Sequence, residues 1–185
     1  MIQWIAYNEF LPVPVPNVLA STKNSHDQQP ELERWLNYIQ PNALILSGGN
    51  DVGEFNQRDI TEKYLLSWAQ TKKVPVLGVC RGLQLMAVWA GTSLIKLEGH
   101  AGTRHSLIAS NEKDHLPLEV NSFHNWGLAS CPKGFDVLAT AHDGAIEAIR
   151  HNTLAWEGWM WHPEREASFN KIDNVRFRAL LNLRN

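Results

Sequence analysis

Cysteine is scarce in this sequence, and the two cysteines present lie far apart in unlike surroundings. Cys80 ends an apolar run, whereas Cys131 lies in a loop with proline and glycine neighbours. The disulfide frameworks of small secreted domains use more cysteines than this, so the pattern indicates free thiols. We therefore expect no disulfide and treat one of the two thiols as a candidate for chemistry.

An excess of charge of either sign is also missing. The 17 lysines and arginines nearly balance the 19 aspartates and glutamates, which gives a formal charge of -2. A protein whose main task is to hold nucleic-acid phosphates would be more basic. No apolar run approaches the roughly 18 residues of a membrane span, and the first residues do not form a secretion signal. We therefore expect a cytoplasmic protein that binds neither nucleic acid nor membrane.

The composition is that of an ordered domain. Of the 185 residues, 44% are hydrophobic and 19% are charged, which is enough apolar material for one core of ordinary size. No repeat, linker or low-complexity tract divides the sequence. We therefore expect a single domain over residues 1–185.

Short apolar segments bounded by glycine, proline, asparagine or aspartate predict nine strands. They are Ile2–Tyr7, Ala43–Ser47, Val74–Val79, Ser93–Leu97, Arg104–Ala109, Leu116–Asn121, Phe135–Ala141, Ala145–Arg150 and Leu154–Trp161. Helical periodicity predicts four helices. They are Glu31–Ile39, Asp59–Thr71, Leu83–Trp89 and Phe169–Leu183, the last with Ile172, Val175 and Ala179 on one face.

The order of these elements predicts an α/β fold. Strands alternate with helices in the first half, which builds parallel sheets, whereas residues 93 to 161 read as strand after strand. We therefore expect a three-layer α/β/α sandwich with a mainly parallel central sheet and an antiparallel extension.

The segment Gly78-Val79-Cys80-Arg81-Gly82 joins a predicted strand directly to a predicted helix. Glycines two before and two after Cys80 relieve the crowding of a sharp turn, as they do around the serine nucleophile of many hydrolases. The N–H groups at the start of the following helix favour a thiolate and a neighbouring oxyanion. The pattern predicts a nucleophilic Cys80, although a small buried residue at a tight turn would give the same local sequence.

His162 and Glu164 follow an apolar segment near the other end of the sequence. Residues i and i+2 of an extended segment project to the same side, so Glu164 can accept a hydrogen bond from one imidazole nitrogen while the other faces outward. Together with the turn around Cys80, this spacing predicts a catalytic triad of Cys80, His162 and Glu164.

Another predicted strand ends in Ser47-Gly48-Gly49-Asn50. Glycine lets backbone N–H groups approach a ligand closely, so Gly49 or Asn50 can supply one oxyanion donor opposite the N–H of Arg81. An ordinary turn has the same composition. Elsewhere, His100, His105, His115 and His142 show no ligand spacing, so we expect no metal site.

With these segments identified, the sequence resembles the class I glutamine amidotransferase-like superfamily and, within it, the γ-glutamyl hydrolase branch, peptidase C26. The matching motifs are SGGND at 47–51, Arg58-Asp59 with Glu62, PVLGVCRGLQLM at 75–86, NSFHN at 121–125, DGAIEAI at 143–149 and WHPE at 161–164. The resemblance implies a flavodoxin-like sandwich, a Cys-His-Glu triad, and an oxyanion hole formed by Gly49 and the Arg81 amide. It further implies that Asn50, Gln84, Asn121 and the Ser122-Phe123-His124 segment hold the γ-glutamyl group, with no cofactor.

One subgroup of this branch, the γ-glutamyl-CDP-amidate hydrolases of capsule phosphoramidate biosynthesis, is similar in Gly102-Thr103-Arg104-His105, NSFHN and MWHPERE at 160–166. This similarity implies a small, nucleotide-linked γ-glutamyl substrate, with Arg104, His105, Arg165 and nearby tryptophans near its leaving group. The segment between Asp51 and Arg58 is shorter than in γ-glutamyl-γ-aminobutyrate hydrolases. This difference leaves the identity of the leaving group undetermined.

Three other functions stay open on the sequence alone. The chain is compatible with a hydrolase of γ-glutamyl-γ-aminobutyrate or another γ-glutamyl peptide. It is compatible with a glutaminase subunit that passes ammonia to a synthase, and with a non-catalytic binding or redox-sensing module. A homodimer is compatible with each of these functions.

Overall fold

A central β-sheet with helices on both faces forms the molecule. The computed structural model describes residues 1–24 and 28–181. The helices are α1 (Ile2–Tyr7), α2 (Pro30–Ile39), α3 (Asn56–Lys72), α4 (Arg81–Trp89) and α5 (Lys171–Leu181), with short 3-10 turns at Asn17–Leu19 and Pro163–Arg165. The strands are β1 (Leu44–Leu46), β2 (Val76–Val79), β3 (Leu94–Lys96), β4 (Ala101–Ser106), β5 (Ile108–Ala109), β6 (Glu119–Phe123), β7 (Trp126–Leu128), β8 (Phe135–Thr140), β9 (Ile146–His151) and β10 (Trp156–Trp159).

The central sheet is mixed, with two parallel and three antiparallel strand pairings among the described residues. Its strand order is β1-β2-β10-β9-β8-β5, in which β1, β2 and β10 run parallel and the remaining neighbours run antiparallel. Two small sheets, β3-β7 and β4-β6, lie outside it. The predicted α/β fold with a parallel part and an antiparallel extension is confirmed.

Two hydrophobic cores lie on the two faces of this sheet because neighbouring strand residues point in opposite directions. Val76 belongs to the core covered by α2, α3 and α4, whereas Leu77 belongs to the core covered by α1 and α5. On β10, Trp156 and Trp159 divide between the cores in the same way. Helices therefore cover both faces, which gives the predicted three layers.

The prediction of a strand at Ile2–Tyr7 is wrong, because this segment forms α1. A strand would bury every second residue, but Ile2 is 57% exposed while the adjacent Trp4 and Ile5 are buried. The Trp4 ring packs on Phe177 with centroids 4.3 Å apart, and its indole N–H donates to Asn174 at 2.8 Å. These contacts with α5 favour the helix over the strand that the short apolar segment predicts.

The predicted apolar face of the last helix is also wrong. Ile172 and Val175 are 38% and 58% exposed, and the helix instead buries Asp173, Asn174 and Phe177 together with its last two leucines. The two polar residues are buried because each accepts a hydrogen bond from a tryptophan indole. Residues 182 and 183 of the predicted helix lie outside the described residues.

Within residues 1–24 and 28–181, no helix combines the length and apolar character that a membrane span requires.

Candidate active site

The parallel strands β1, β2 and β10 end at one edge of the sheet, and the candidate catalytic segments follow these ends. In the register, Leu46, Gly78 and Gly158 lie side by side. Ligands of open α/β sheets bind at the carboxyl ends of such strands. The fold therefore brings segments 47–50, 80–82 and 160–164 to the same edge.

Cys80 lies at the apex of a strained turn between β2 and α4. Its backbone has φ 51° and ψ -105°, a conformation that a residue other than glycine rarely adopts. The Cys80 N–H donates to the Trp159 carbonyl at 2.7 Å, and α4 begins at the next residue. The predicted sharp turn is therefore present.

The glycines that flank this turn are required by close backbone approach. A Cβ added at Gly78 would lie 2.7 Å from the carbonyl carbon of Gly82. A Cβ added at Gly82 would overlap the carbonyl group of Leu46, lying 2.7 Å from its carbon. Gly82 thus lets α4 pack directly against β1, which fixes the start of α4 at the active-site edge.

The Cys80 thiol is protonated at neutral pH because it is buried. Burial raises its pKa to about 11, and the nearby Glu164 and Glu147 carboxylates act in the same direction. The Arg81 backbone N–H and the Arg165 charge lower the pKa but do not offset burial. The helix N-terminus does favour the thiolate through the Arg81 N–H, as expected, but the loss of hydration outweighs this effect.

His162 and Glu164 form the predicted pair. His162 Nδ1 lies 2.9 Å from Glu164 Oε1, and the two side chains are only 1% and 9% exposed. Burial alone would raise the pKa of Glu164, but the hydrogen bond and charge of His162 outweigh it and hold that pKa below its usual value. An ionised Glu164 holds the proton on Nδ1, which leaves Nε2 free to accept one.

The imidazole of His162 lies over the turn that follows β1. A Cβ added at Gly48 would lie 2.5 Å from His162 Cε1, so only glycine fits beneath the ring. The next residue, Gly49, has φ 146° and is contacted by the Arg58 guanidinium. Arg58 also donates to the carbonyl oxygens of Ser47 and Gly48 at 2.8 and 3.2 Å. This arrangement fixes the predicted oxyanion segment beside His162.

Among the described residues, the thiol of Cys80 makes no hydrogen bond with the imidazole of His162. The structure therefore contains the His162–Glu164 half of the predicted triad and the strained Cys80 turn at the same edge. The complete triad, like the oxyanion hole of Gly49 and Arg81, stays a prediction.

The Arg81 side chain stabilises the fold, while the Arg81 backbone N–H faces the Cys80 sulfur. Its guanidinium is 2% exposed and forms ion pairs with Asp59 and Glu62 of α3. Glu62 also accepts a hydrogen bond from Arg58 at 2.8 Å, and Asp59 accepts one from the Gly53 N–H at 2.8 Å. One charged network therefore ties α3 to both turns of the active-site edge. Sequence reasoning identified these residues as family motifs but did not find this role.

Asn121, which the resemblance implied as a substrate ligand, uses its side chain to hold His162. Its Nδ2 donates to the His162 carbonyl at 2.8 Å, and its Oδ1 accepts from the His162 N–H at 2.9 Å. The same Nδ2 donates to Glu166 at 2.7 Å. Asn121 is buried, and its amide is fully engaged by this segment.

The other residues implied for the γ-glutamyl group are mostly buried with internal partners. The Ser122 hydroxyl donates to the His100 carbonyl, His124 Nδ1 lies 3.1 Å from the Trp126 carbonyl, and Gln84 Nε2 donates to the same carbonyl at 2.9 Å. Phe123 is 45% exposed, and its ring meets the His162 ring edge-on at 5.9 Å. Within this group, Phe123 is thus the side chain that faces outward beside His162.

The residues implied for the leaving group lie in two places. The Arg104 guanidinium is about half exposed and forms ion pairs with Glu119 and Glu166. His105 instead turns towards Glu147, with Nε2 3.4 Å from Oε2.

Asn50, which was implied for the γ-glutamyl group, is exposed at the end of the glycine turn.

A cleft of about 1100 Å³ lies between the N-terminal segment and β1, and it reaches Ser47, Asn50 and Arg58. The described residues that line it do not include Cys80, His162 or Glu164. The cleft therefore opens on the outer side of the oxyanion segment, away from the thiol.

The chain is similar in sequence to known proteins of one family. A family model described as Peptidase C26 matches residues 15–164. Gamma-glutamyl-CDP-amidate hydrolase of Campylobacter jejuni subsp. jejuni serotype O:2 is 36% identical over 140 residues, which are 72% of this chain and 68% of that protein. A subunit of the glutamine-hydrolysing GMP synthase of Methanocaldococcus jannaschii is 30% identical over 127 residues, which are 66% of this chain and 64% of that protein. The chain thus spans about two thirds of the length of these relatives.

Solved structures share the fold. A candidate GMP synthase subunit of Thermoplasma acidophilum superimposes with a TM-score of 0.73 at 22% identity, covering 97% of this chain and 83% of its own. A glutamine amidotransferase of Methylobacillus flagellatus gives a TM-score of 0.62 at 18% identity, and the match covers 98% of this chain and 69% of that one. At these identities the structural similarity shows the fold alone. The family model matches most of the sequence, and the chain therefore belongs to the peptidase C26 family.

Proposed function

We propose that this protein is a cysteine hydrolase that cleaves the amide bond of a γ-glutamyl compound and releases glutamate. The observation that carries the proposal is the strained Cys80 turn, which ends β2 at the same sheet edge as the buried His162–Glu164 pair. Membership of the peptidase C26 family and 36% identity with a γ-glutamyl-CDP-amidate hydrolase support it.

The proposed reaction begins from a neutral thiol, because burial keeps Cys80 protonated. As the sulfur attacks the γ-carbonyl carbon, its proton passes to His162 Nε2, and the oxyanion accepts hydrogen bonds from the Gly49 and Arg81 amides. The C–N bond then breaks, and His162 returns the proton to the departing nitrogen. A glutamyl thioester remains on Cys80.

Water completes the cycle. His162 takes a proton from water as the oxygen attacks the thioester carbonyl, the C–S bond breaks, and the sulfur regains the proton. Glu164 stays ionised throughout, holding the imidazole orientation and stabilising its cationic form. The balance requires only water as co-reactant.

The substrate we propose is γ-glutamyl-CDP-amidate, whose leaving group carries a pyrophosphate and a base. Arg165 supports this choice, since it is exposed and its guanidinium lies over the Phe123 ring, 5.0 Å from the centroid. Its charge also reaches the thiol, where it lowers the pKa. In the described part of the chain, Arg165 pairs with no carboxylate, whereas Arg104 pairs with two. Arg165 is thus the better candidate for a phosphate contact.

A panel of γ-glutamyl compounds tests this function: glutamine, γ-glutamyl-γ-aminobutyrate, polyglutamylated folate and γ-glutamyl-CDP-amidate. We expect glutamate release from the amidate at the highest kcat/KM, and no release by Cys80→Ala, which fits the space of the cysteine. Arg165→Ala should raise KM for the amidate more than for glutamine. Preference for one of the other three compounds would refute the proposed substrate, and an active Cys80→Ala would refute the chemistry.

Similarity to a GMP synthase subunit favours glutaminase chemistry as a second candidate. A glutaminase subunit would prefer glutamine and would be accelerated by a synthase partner. Hydrolysis at an unchanged rate in the presence of a GMP synthase subunit with ATP would argue against it.

A further inference from the structure

A group of histidines around one carboxylate lies beside the candidate active site, and no step of the proposed reaction uses it. His100, His105 and His124 surround the carboxylate of Glu147. Glu147 is 0% exposed, and His100 and His124 are 4% and 3% exposed. The four residues come from separate segments of the chain, so the fold rather than any sequence spacing brings them together.

The distances in this cluster are too long for hydrogen bonds. His100 Nδ1 and His124 Nε2 lie 3.4 and 3.5 Å from Glu147 Oε1, and His105 Nε2 lies 3.4 Å from Oε2. Hydrogen bonds between such atoms are about 2.7–3.2 Å long. In the part of the chain that the structure describes, all five atoms are buried without a hydrogen-bond partner. Buried polar atoms in native proteins rarely remain so.

The outer contacts of two histidines fix which ring nitrogens face the cluster. His100 Nε2 lies 2.9 Å from Asp143 Oδ2, and His124 Nδ1 lies 3.1 Å from the Trp126 carbonyl oxygen. Both oxygens only accept hydrogen bonds, so these two nitrogens act as donors. His100 Nδ1 and His124 Nε2 are then the atoms that face the Glu147 carboxylate, and a cation between them would be held by all three groups.

The spacing of the acceptors matches a tetrahedral metal centre. With zinc bonds of about 2.0–2.1 Å, neighbouring ligand atoms of a tetrahedron lie about 3.3–3.4 Å apart. His100 Nδ1 and His124 Nε2 lie 3.4 and 3.5 Å from the same carboxylate oxygen, Glu147 Oε1. Donor atoms of His100, His124 and Glu147 all lie within 4.8 Å of one another. The carboxylate and carbonyl behind the two histidines are the partners that usually orient zinc-bound imidazoles.

We propose that His100, His124 and Glu147 bind one Zn²⁺ ion. Two imidazole nitrogens and a carboxylate oxygen are ligands that zinc favours, and one further ligand completes the tetrahedron. His105 Nε2 approaches the other carboxylate oxygen, Oε2, so this side chain orients Glu147. The ion lies outside the Cys80–His162 chemistry.

The position of the cluster indicates which parts of the fold such an ion would connect. His105 belongs to β4, and His124 follows β6, two strands that form a small sheet separate from the central one. Glu147 belongs to β9 of the central sheet, and its backbone carbonyl accepts a hydrogen bond from Met160 at 2.7 Å. The zinc ion would tie the β4-β6 sheet to the central sheet and fix Phe123 beside His162.

Metal content tests the proposal on the full chain. The protein is produced with added Zn²⁺, passed over a desalting column, and analysed for zinc by inductively coupled plasma mass spectrometry. Glu147→Gln removes the central ligand with little change of shape, and His100→Ala removes one of the two imidazole ligands. His115→Ala is the matched control, because His115 is exposed and lies outside the cluster.

We expect about one zinc per chain in the wild type and in His115→Ala. In competition with a chromophoric chelator, Glu147→Gln and His100→Ala should bind zinc at least about tenfold more weakly. Co²⁺ in the wild type should give the intense visible bands of a tetrahedral site, a readout that does not depend on the variants folding. A wild type that takes up neither Zn²⁺ nor tetrahedral Co²⁺, or folded variants that bind zinc as the wild type does, would overturn the proposal. Glutamate release is a separate assay, so failure here leaves the proposed hydrolase unaffected.

Discussion

Burial of the Cys80 thiol decides how the proposed reaction can start. With a pKa of about 11, the thiol is neutral when the substrate arrives. Proton transfer to His162 must then accompany attack on the carbonyl. A resting thiolate–imidazolium pair, which the helix N-terminus alone would favour, is therefore not the starting state.

This state of the thiol is measurable by alkylation. We expect the rate at which iodoacetamide modifies Cys80 to keep rising with pH beyond pH 9, since the thiolate fraction grows until the pH passes a pKa of about 11. The rate is followed by mass spectrometry of the Cys80 peptide in a Cys131→Ser background. A rate that is already constant at neutral pH would contradict the account.

Asn121 positions the His162 imidazole, the proposed general base, through the His162 backbone. We expect Asn121→Ala to lower kcat roughly 10- to 100-fold with little change in KM, because a misplaced imidazole impairs proton transfer rather than binding. Steady-state kinetics measure both constants, and the exposed Asn111→Ala is the control. A raised KM at unchanged kcat would instead make Asn121 a substrate ligand.

The single residues that sequence reasoning could find are those whose signals are local. Two flanking glycines identify Cys80 as a candidate, and a separation of two residues identifies the His162–Glu164 pair. The role of Asn121 was not predicted, because its partner lies 41 positions away. The histidine cluster escaped for the same reason, since only the fold brings His100 and Glu147 together.

The start of α4 depends on one glycine. We expect Gly82→Ala to lower the free energy of unfolding by about 3 kcal/mol or more, since the new methyl group overlaps the Leu46 carbonyl and β1 and α4 must separate. Gly53→Ala is the control, because Gly53 has open space around it and φ 99°, so only about 1 kcal/mol of backbone strain is expected.

Urea unfolding followed by circular dichroism gives both values. A Gly82→Ala protein as stable as Gly53→Ala would show that the contact between α4 and β1 is looser than described.

Sequence patterns located most elements but misjudged two whose environment is set by distant residues. In α1, a short apolar segment favoured a strand, whereas packing of Trp4 on Phe177 selects the helix. In α5, the polar Asp173 is buried because it accepts a hydrogen bond from Trp161. The indole N–H groups of buried tryptophans thus decide which face of a helix points inward.

The α1–α5 core makes the stability of the whole molecule depend on pH through Asp173. Burial raises the pKa of this carboxyl from 3.8 to about 7, Glu166 adds to the effect, and Trp161 and Arg176 oppose it. The folded chain therefore keeps a proton that the unfolded chain releases. This group makes the free energy of unfolding fall as pH rises from about 4 to about 7, and its effect is constant above that range.

We expect Asp173→Asn to remove this dependence, because asparagine can accept the Trp161 hydrogen bond without ionising. The variant should be more stable than the wild type at pH 8, by up to about 4 kcal/mol, and similar to it near pH 4. Thermal unfolding over this pH range measures the difference, with the exposed Asp136→Asn as control. A variant that is less stable at every pH would contradict the assignment.

The overall architecture was predictable because it follows from the order of elements. Alternating strands and helices require a parallel sheet covered on both faces, and consecutive strands after residue 93 require an antiparallel part. The two small sheets, β3-β7 and β4-β6, were not predictable, because β7 has only three residues and β4 is largely exposed. They carry the segment that fixes His162.

Labelling with an electrophilic glutamine analogue shows whether Cys80 attacks a γ-glutamyl carbonyl. We expect one covalent adduct per chain, located on the Cys80 peptide by mass spectrometry, unchanged in Cys131→Ser and absent in His162→Ala and Cys80→Ala. No adduct on the wild type, or an adduct on Cys131 alone, would contradict the proposed attack by Cys80.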